Sequence, residues 1–297
     1  MSIKHYLIIS VTQKDVIASV LTTKGLVKSS FKQALTIHQE DDISFIDPLE
    51  LIFSVRSCIN QVIKAKSKLS VNSIGIIVEE HLGLIWDKKT GAPFTKILLT
   101  KNLSNLQLNL MTTQYIKATS NQNFKECPLL LRVLYQTKYL NKDQKSFHDA
   151  VLADIGSWIL YNLSGRKALM TSESCSINST MSMQKMDQDM VLSEIGLKPS
   201  QVVDQLITKN SPETSGFVPL SDHIPIEALL SIKDANLLGM DCELEHNIVA
   251  DLDYQGQVLF LNKDQSMDSG PYSSCNILSK NLMANVLNHN SVVSISK

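Results

Sequence analysis

A chain of 297 residues that is 43% hydrophobic and 19% charged can bury a sizeable core, and its length suggests one large domain or two smaller ones. Lys and Arg number 28 against 29 Asp and Glu, a formal net charge of -1, so no overall field favours nucleic acid or an anionic membrane. No apolar run reaches the roughly 18 residues that a membrane-spanning helix needs.

The N-terminal "MSIKHYLIISVTQ" passes from an apolar run straight into polar, strand-like sequence, without the small-residue end of a cleavable signal peptide. The five cysteines (Cys58, Cys127, Cys175, Cys242 and Cys275) are scattered and never spaced C-x-x-C. That pattern argues against a zinc site or a disulfide framework and for a reducing compartment. The expectation is a soluble cytoplasmic protein.

In chain order, the segment from Tyr6 to about Thr36 carries three short runs rich in Ile, Val and Leu, with "TKG" as the turn between the last two. It reads as an antiparallel three-stranded meander. A helix follows in "DPLELIFSVRSCINQVIKAKSKL": Asp47 is its N-cap, Pro48 stands at N1 and Glu50 at N3, as in a capping box. Leu51, Ile52, Val55, Ile59, Val62 and Ile63 mark its apolar face, and Lys64, Lys66 and Lys68 suit its C-terminal dipole. "SIGIIV" reads as a strand buried on both faces. Leu82 to Leu99, "LGLIWDKKTGAPFTKILL", reads as a hairpin that turns through Asp87 to Gly91.

The second half reads as mostly helical. Apolar spacing predicts helices over Cys127 to Leu140, Phe147 to Leu163, Gln188 to Ile195 and Pro199 to Ile207, with "MTSESCSINSTMSMQKMDQ" as a polar loop. The domain boundary falls near residue 250: residues 1–250 form the main domain, and 251–297 a short hairpin and a Ser/Asn-rich tail. No internal repeat is present.

Meander, Asp-Pro helix, buried strand and "WDKKTGAP" come in an order that resembles the FGGY carbohydrate kinases, the family of glycerol kinase and xylulokinase. The matching residues are Ile74-Gly75-Ile76 and Trp86-Asp87-Lys88-Lys89-Thr90-Gly91-Ala92-Pro93. Further on, "DIGSWILYNLSGRKALMTSES" looks like the family's helix ending in Leu-Thr-Gly, followed by a Thr-Asp-x-Ser stretch, and "MVLSEIGLKPSQVVDQLI" like the segment closing on Leu-Gly-Ile-Pro. The resemblance runs from about Tyr6 to Gly239. It implies an α/β, actin-like (ribonuclease H-like) domain, with a mixed sheet, an antiparallel meander and flanking helices. The family pairs such a domain with an ATP-binding one and works in the cleft between them; the expectation here is that the second domain is lacking.

The family's Asp-x-Gly-Thr-Thr turn, which serves metal and phosphate, falls at Ser10-Val11-Thr12-Gln13-Lys14. Serine replaces the carboxylate, and Thr12 a glycine whose missing Cβ lets backbone approach phosphate. The Gln-Arg-Glu that holds substrate hydroxyls falls at Glu79, Glu80 and His81, and the Asp after a Trp-Gln pair at Asn102. The resemblance implies a vestigial base at Asp241. The carboxylates of "ELEHNIVADLD" (Glu243, Glu245, Asp251 and Asp253), with His246, lack the spacing of a metal set and read as a solvated face.

These departures lead to the expectation of a non-enzyme: a catalytically inactive pseudokinase acting as a scaffold or adaptor subunit of a multiprotein complex. The Lys-, Asn-, Ser- and Ile-rich composition suggests a bacterial source, and a type IV secretion coupling complex is the assembly named. The alternative is a polyol sensor that binds through Glu80, His81 and Asn102. Neither reading calls for a metal, cofactor, ATP, nucleic acid or membrane insertion; other protein subunits are the expected partners.

Overall fold

Strict alternation builds the first strands. In β1 (His5–Val11) Leu7, Ile9 and Val11 are buried, and in β2 (Asp15–Thr22) Val16, Ala18 and Val20 repeat the pattern. The two pair antiparallel from His5↔Thr22 to Val11↔Val16, and β3 (Val27–Ala34) pairs antiparallel with β2. The expected meander is therefore present. The computed structural model describes residues 4–40, 43–65, 70–99, 110, 129–140, 147–172, 175, 185–207 and 211–239, and four later strands at 248–251, 257–262, 272–277 and 282–288.

Two short strands, β4 (His38–Glu40) and β5 (Ile43–Ile46), lead to helix α1 (Pro48–Lys64). Asp47 caps the helix as expected, its carboxylate accepting from the Leu49 amide at 2.7 Å and the Glu50 amide at 3.3 Å. Glu50 does not close the capping box. Its carboxylate turns instead to His38 Nε2, 3.0 Å away. The face of α1 carrying Leu51, Val55, Cys58, Ile59 and Val62 is buried, and the Cys58 thiol donates to the Val16 carbonyl at 3.5 Å. Burial pushes that thiol up to about 11.

Strand β6 (Ser73–Val78) lies parallel to β1, Leu7 opposite Ile74 and Val11 opposite Val78. With β10 (Ile226–Ser231) the strands order as β10-β6-β1-β2-β3, so the apolar β6 is interior, as its sequence predicts. β3 is an outer strand of this sheet and is largely exposed; Lys28 is exposed on it, and Lys32 pairs with Asp15 at 2.6 Å.

β7 (Gly83–Asp87) ends in the expected turn, but the second arm does not pair back as a full hairpin strand. Past an isolated bridge from Trp86 to Pro93, β8 (Ile97–Leu98) pairs with β5. The partner of β7 is β9 (Ala150–Asp154), antiparallel. This corrects the helix expected over Phe147 to Leu163: "AVLAD" is buried on both faces as a strand, and α3 starts only at Ile155, running to Leu163. The helix expected over Pro199 to Ile207 is a single 3₁₀ turn, Pro199–Gln201, before extended chain. There Val202 bridges Leu152 and Leu206 bridges Thr171, which suits a β-branched stretch. Helices α2 (Leu129–Tyr135), followed by a π-helical turn at Gln136–Leu140, and α4 (Lys185–Ile195) fall where periodicity puts them.

The chain divides into two compact units, Met1–Leu230 and Ser231–Lys297. The division precedes the boundary expected at 250. The second unit holds helix α5 (Ile232–Gly239) and strands β11 (Ile248–Asp251), β12 (Gln257–Asn262), β13 (Tyr272–Ile277) and β14 (Leu282–Asn288). These four form an antiparallel sheet ordered β11-β12-β14-β13, where the sequence suggested a hairpin and a tail.

Gly83 shows how closely β7 and β9 approach: a Cβ there would lie 2.5 Å from the Ala153 carbonyl oxygen and 2.6 Å from Leu129 Cδ2. Because one of these atoms is backbone, the clash cannot be relieved by a rotamer change. Gly83→Ala is expected to cost about 2 to 3 kcal/mol, read as a lower urea midpoint at unchanged m. An unchanged midpoint would mean that the strand pair yields easily.

Candidate functional site

Because β1 and β6 run parallel, their C-terminal ends emerge side by side. The turn leaving β1 is shaped by Thr12, whose hydroxyl accepts from the Lys14 and Asp15 amides, both at 3.0 Å. A threonine thus makes by side chain the turn for which the family uses glycine. Ser10 is half-buried and stands opposite Ile77.

The chain leaving β6 reaches across to that turn. Glu79 is buried; its amide donates to the Val11 carbonyl at 2.9 Å and its carboxylate accepts from the Gln13 amide at 2.6 Å. The Gln13 side-chain amide donates to the other carboxylate oxygen. A charged acceptor held by two N–H groups is among the stronger hydrogen-bonding arrangements available to a side chain. It binds together two turns that are distant in sequence.

Glu80 and His81 follow, both half-buried, and His81 has φ 62, the left-handed region that non-glycine residues seldom enter. Arg132, fully buried on α2, donates through Nη1 to the Leu98 carbonyl at 2.5 Å and through Nη2 to the His81 carbonyl. Of the predicted ligand residues, the structure brings Glu80 and His81 together at this turn. Asn102 and Asp241 lie outside the described residues, as do Glu243, Glu245, His246 and Asp253. Among the described residues no group of three or more His, Cys, Asp or Glu could hold a metal ion.

The "WDKKTGAP" turn is structural. Asp87 accepts from the Lys89 and Thr90 amides at 2.9 and 2.6 Å and from the Thr90 hydroxyl at 2.9 Å, and these Thr90 bonds hold its carboxyl below the usual range. Gly91, at φ 72, completes the turn, and the Tyr161 hydroxyl donates to the Lys88 carbonyl. Elsewhere an open pocket of about 330 Å³ is lined by loop residues including Lys167, Glu213, Ser215 and His223. Its polar groups pair locally, Lys167 with Ser215 at 2.9 Å and His223 with Glu213 at 2.8 Å.

Sequence reasoning missed two residues here. Glu79 was matched to the family motif without its partner Gln13. Arg132 did carry a signal, being the one charged residue in the buried run "LLLRVLY".

No protein-family model matches the chain. The chain is 25% identical over 228 residues to the glycerol kinase of Aquifex aeolicus (strain VF5), an alignment covering 72% of this chain and 45% of that protein. It is 21% identical over 215 residues to the probable glycerol kinase of Caenorhabditis elegans, covering 66% of this chain and 42% of the relative. The chain thus spans less than half the length of these curated relatives. Among solved structures, Plasmodium falciparum glycerol kinase with ADP superposes with a TM-score of 0.79 at 16% identity, over 99% of this chain and 63% of that one. Xylulose kinase from Rhodospirillum rubrum gives 0.76 at 11%, over 96% and 61%.

The fold is that of the sugar kinases, a mixed α/β, actin-like architecture. More narrowly, the chain carries an FGGY carbohydrate kinase-like N-terminal region. One expectation is corrected: the non-enzyme reading, which rested on Ser10, on Thr12 and on a lacking ATP-binding domain, is contradicted by relatives that are named glycerol kinases and structural neighbours that are sugar kinases. No helix among the described residues is long and apolar enough to cross a membrane.

One buried carboxyl gives a pH test of the scaffold beneath the site. Asp154 caps α3, accepting from the Ser157 amide and the Thr171 hydroxyl, each at 2.9 Å. Desolvation raises its pKa against the pull of these donors. The folded chain therefore binds the proton more tightly than the unfolded one. Its contribution is fully present below the ordinary value of 3.8 and is lost as pH rises through the folded value. Asp154→Asn is expected to gain stability relative to wild type as pH rises across that window, and Asp154→Ala to lose about 1 to 3 kcal/mol, both by urea unfolding. A pH-independent difference between wild type and Asp154→Asn would sink the assignment.

Proposed function

We propose that this chain is the polyol-recognising half of a glycerol-kinase-type phosphotransferase, with the polyol over the β6–β7 turn at Glu80 and His81 and beside Asn102. The observation that carries the reading is the Glu79–Gln13 contact, which sets the β1–β2 and β6–β7 turns against each other at one end of the sheet. A carboxylate accepts from two hydroxyls and an imidazole either donates or accepts, so this pair suits vicinal O–H groups. The names of the curated relatives support glycerol or a similar polyol as the ligand. Asp241 is the proposed base, taking the proton of the attacking hydroxyl.

Nucleotide is not assigned to this turn. Ser10 offers no carboxylate for a metal, and the Gln13 amide is already donated to Glu79. The phosphoryl donor is assigned away from this turn. A second reading adds docking in a multiprotein complex, with a bacterial type IV secretion coupling complex as the assembly. Exposed Leu49 and Phe53, one turn apart on α1, favour it at 60% and 69% exposure. A native pull-down that returns the protein without stoichiometric partners removes that second reading.

Calorimetric titration with glycerol, xylitol and ribitol tests the first. Wild type is expected to bind at least one, and Glu80→Gln and His81→Ala each to weaken it by about tenfold, the loss of one hydrogen bond. Absence of binding to all three polyols would overturn the proposal.

A further inference from the structure

Arg132 is 0% exposed and sits on a helix whose other residues, Leu129 to Leu131 and Val133 to Tyr135, are apolar or aromatic and buried. Packing alone would be served as well by leucine or methionine, and burying a guanidinium costs free energy unless its donors are satisfied. Two of those donors go to segments far apart in sequence. Nη1 reaches the carbonyl of Leu98, 34 residues away, and Nη2 that of His81, 51 residues away. The first contact lies at the end of β8 and the second at the turn that holds Glu80 and His81, so one side chain ties the turn to which the polyol is assigned to a neighbouring strand.

The geometry points to Arg132 as the positioning residue of the polyol site: its planar fork fixes the separation of the β6–β7 turn from the end of β8. This inference rests on the polyol-binding reading above. At His81 the effect is specific. The residue already has a left-handed φ of 62, and a donor on its carbonyl restrains ψ as well, so both backbone torsions are held. Lysine cannot reproduce this, since an ammonium is a point charge on a flexible stem rather than a rigid two-pronged donor. Methionine fills the volume but leaves both carbonyls without their donor.

The test compares the full 297-residue chain as wild type, Arg132→Lys, Arg132→Met and Val55→Ala, by thermal melting and glycerol titration. Val55 is buried on α1, remote in sequence from both tied segments, so its truncation controls for loss of stability alone. Arg132→Met is expected to weaken glycerol on the order of a hundredfold and Arg132→Lys on the order of tenfold, the scale of misplaced supporting contacts. Val55→Ala should leave affinity unchanged despite a similar fall in melting temperature. If Arg132→Lys does not fold, Arg132→Gln, neutral and still a donor, takes its place. Wild type that ignores glycerol, xylitol and ribitol alike sinks the polyol reading and this inference with it; where xylitol or ribitol is the polyol bound, that polyol replaces glycerol in the titrations. Wild type that binds, with the Arg132 variants matching Val55→Ala, sinks this inference alone.

Discussion

The parallel pairing of β1 with β6 is the constraint from which the rest of the first unit follows. Parallel neighbours cannot be joined by a tight turn, so the chain between them must travel the length of the sheet and return. It does so through β2 to β5 and then α1, whose apolar face is buried. Both strands consequently finish at the same edge, where open α/β sheets commonly leave room for ligands. That edge holds the β1–β2 turn and the Glu79-Glu80-His81 stretch.

Three buried polar side chains stand where apolar elements end. Glu79 closes β6 onto the β1–β2 turn, Asp154 joins the end of β9 to the start of α3, and Arg132 spans the ends of two loops. In each case the partners include backbone groups that would otherwise lie buried without hydrogen bonds, which is costly. The apolar core supplies the driving force for collapse. These nodes settle which loop lies against which, and the geometry of the strand-end turns depends on them.

Much of this was legible in the sequence because it is local. The meander rests on alternation, α1 on its Asp-Pro cap, and the Asp87–Gly91 turn on residues that bond within a few positions of one another. What escaped is non-local or ambiguous in period. "AVLAD" is a short apolar run that fits strand or helix equally, and only its pairing with β7 decides. β8 pairs with β5, across the whole of α1, β6 and β7. At the site, Glu80 and His81 were found by resemblance. The Glu79–Gln13 contact spans 66 residues, and no pattern in either segment announces it. The non-enzyme expectation failed for a related reason: Ser10, Thr12 and the expected lack of a second domain describe local departures from a motif, and the named relatives speak against reading them as loss of activity.

The outer strand β3 has a consequence for life at high protein concentration. Eight residues of mostly exposed β-structure, with Phe31 and Val27 on them, end the sheet, and among the described residues no strand pairs with their outer side, an edge of the sort that templates sheet growth between molecules. Lys28 and Lys32 interrupt that surface with charge. Two copies approaching edge to edge would bring the Lys28 charges into a desolvated seam, while Lys32 would have to carry its Asp15 partner with it, so charge on this strand disfavours intermolecular β-aggregation.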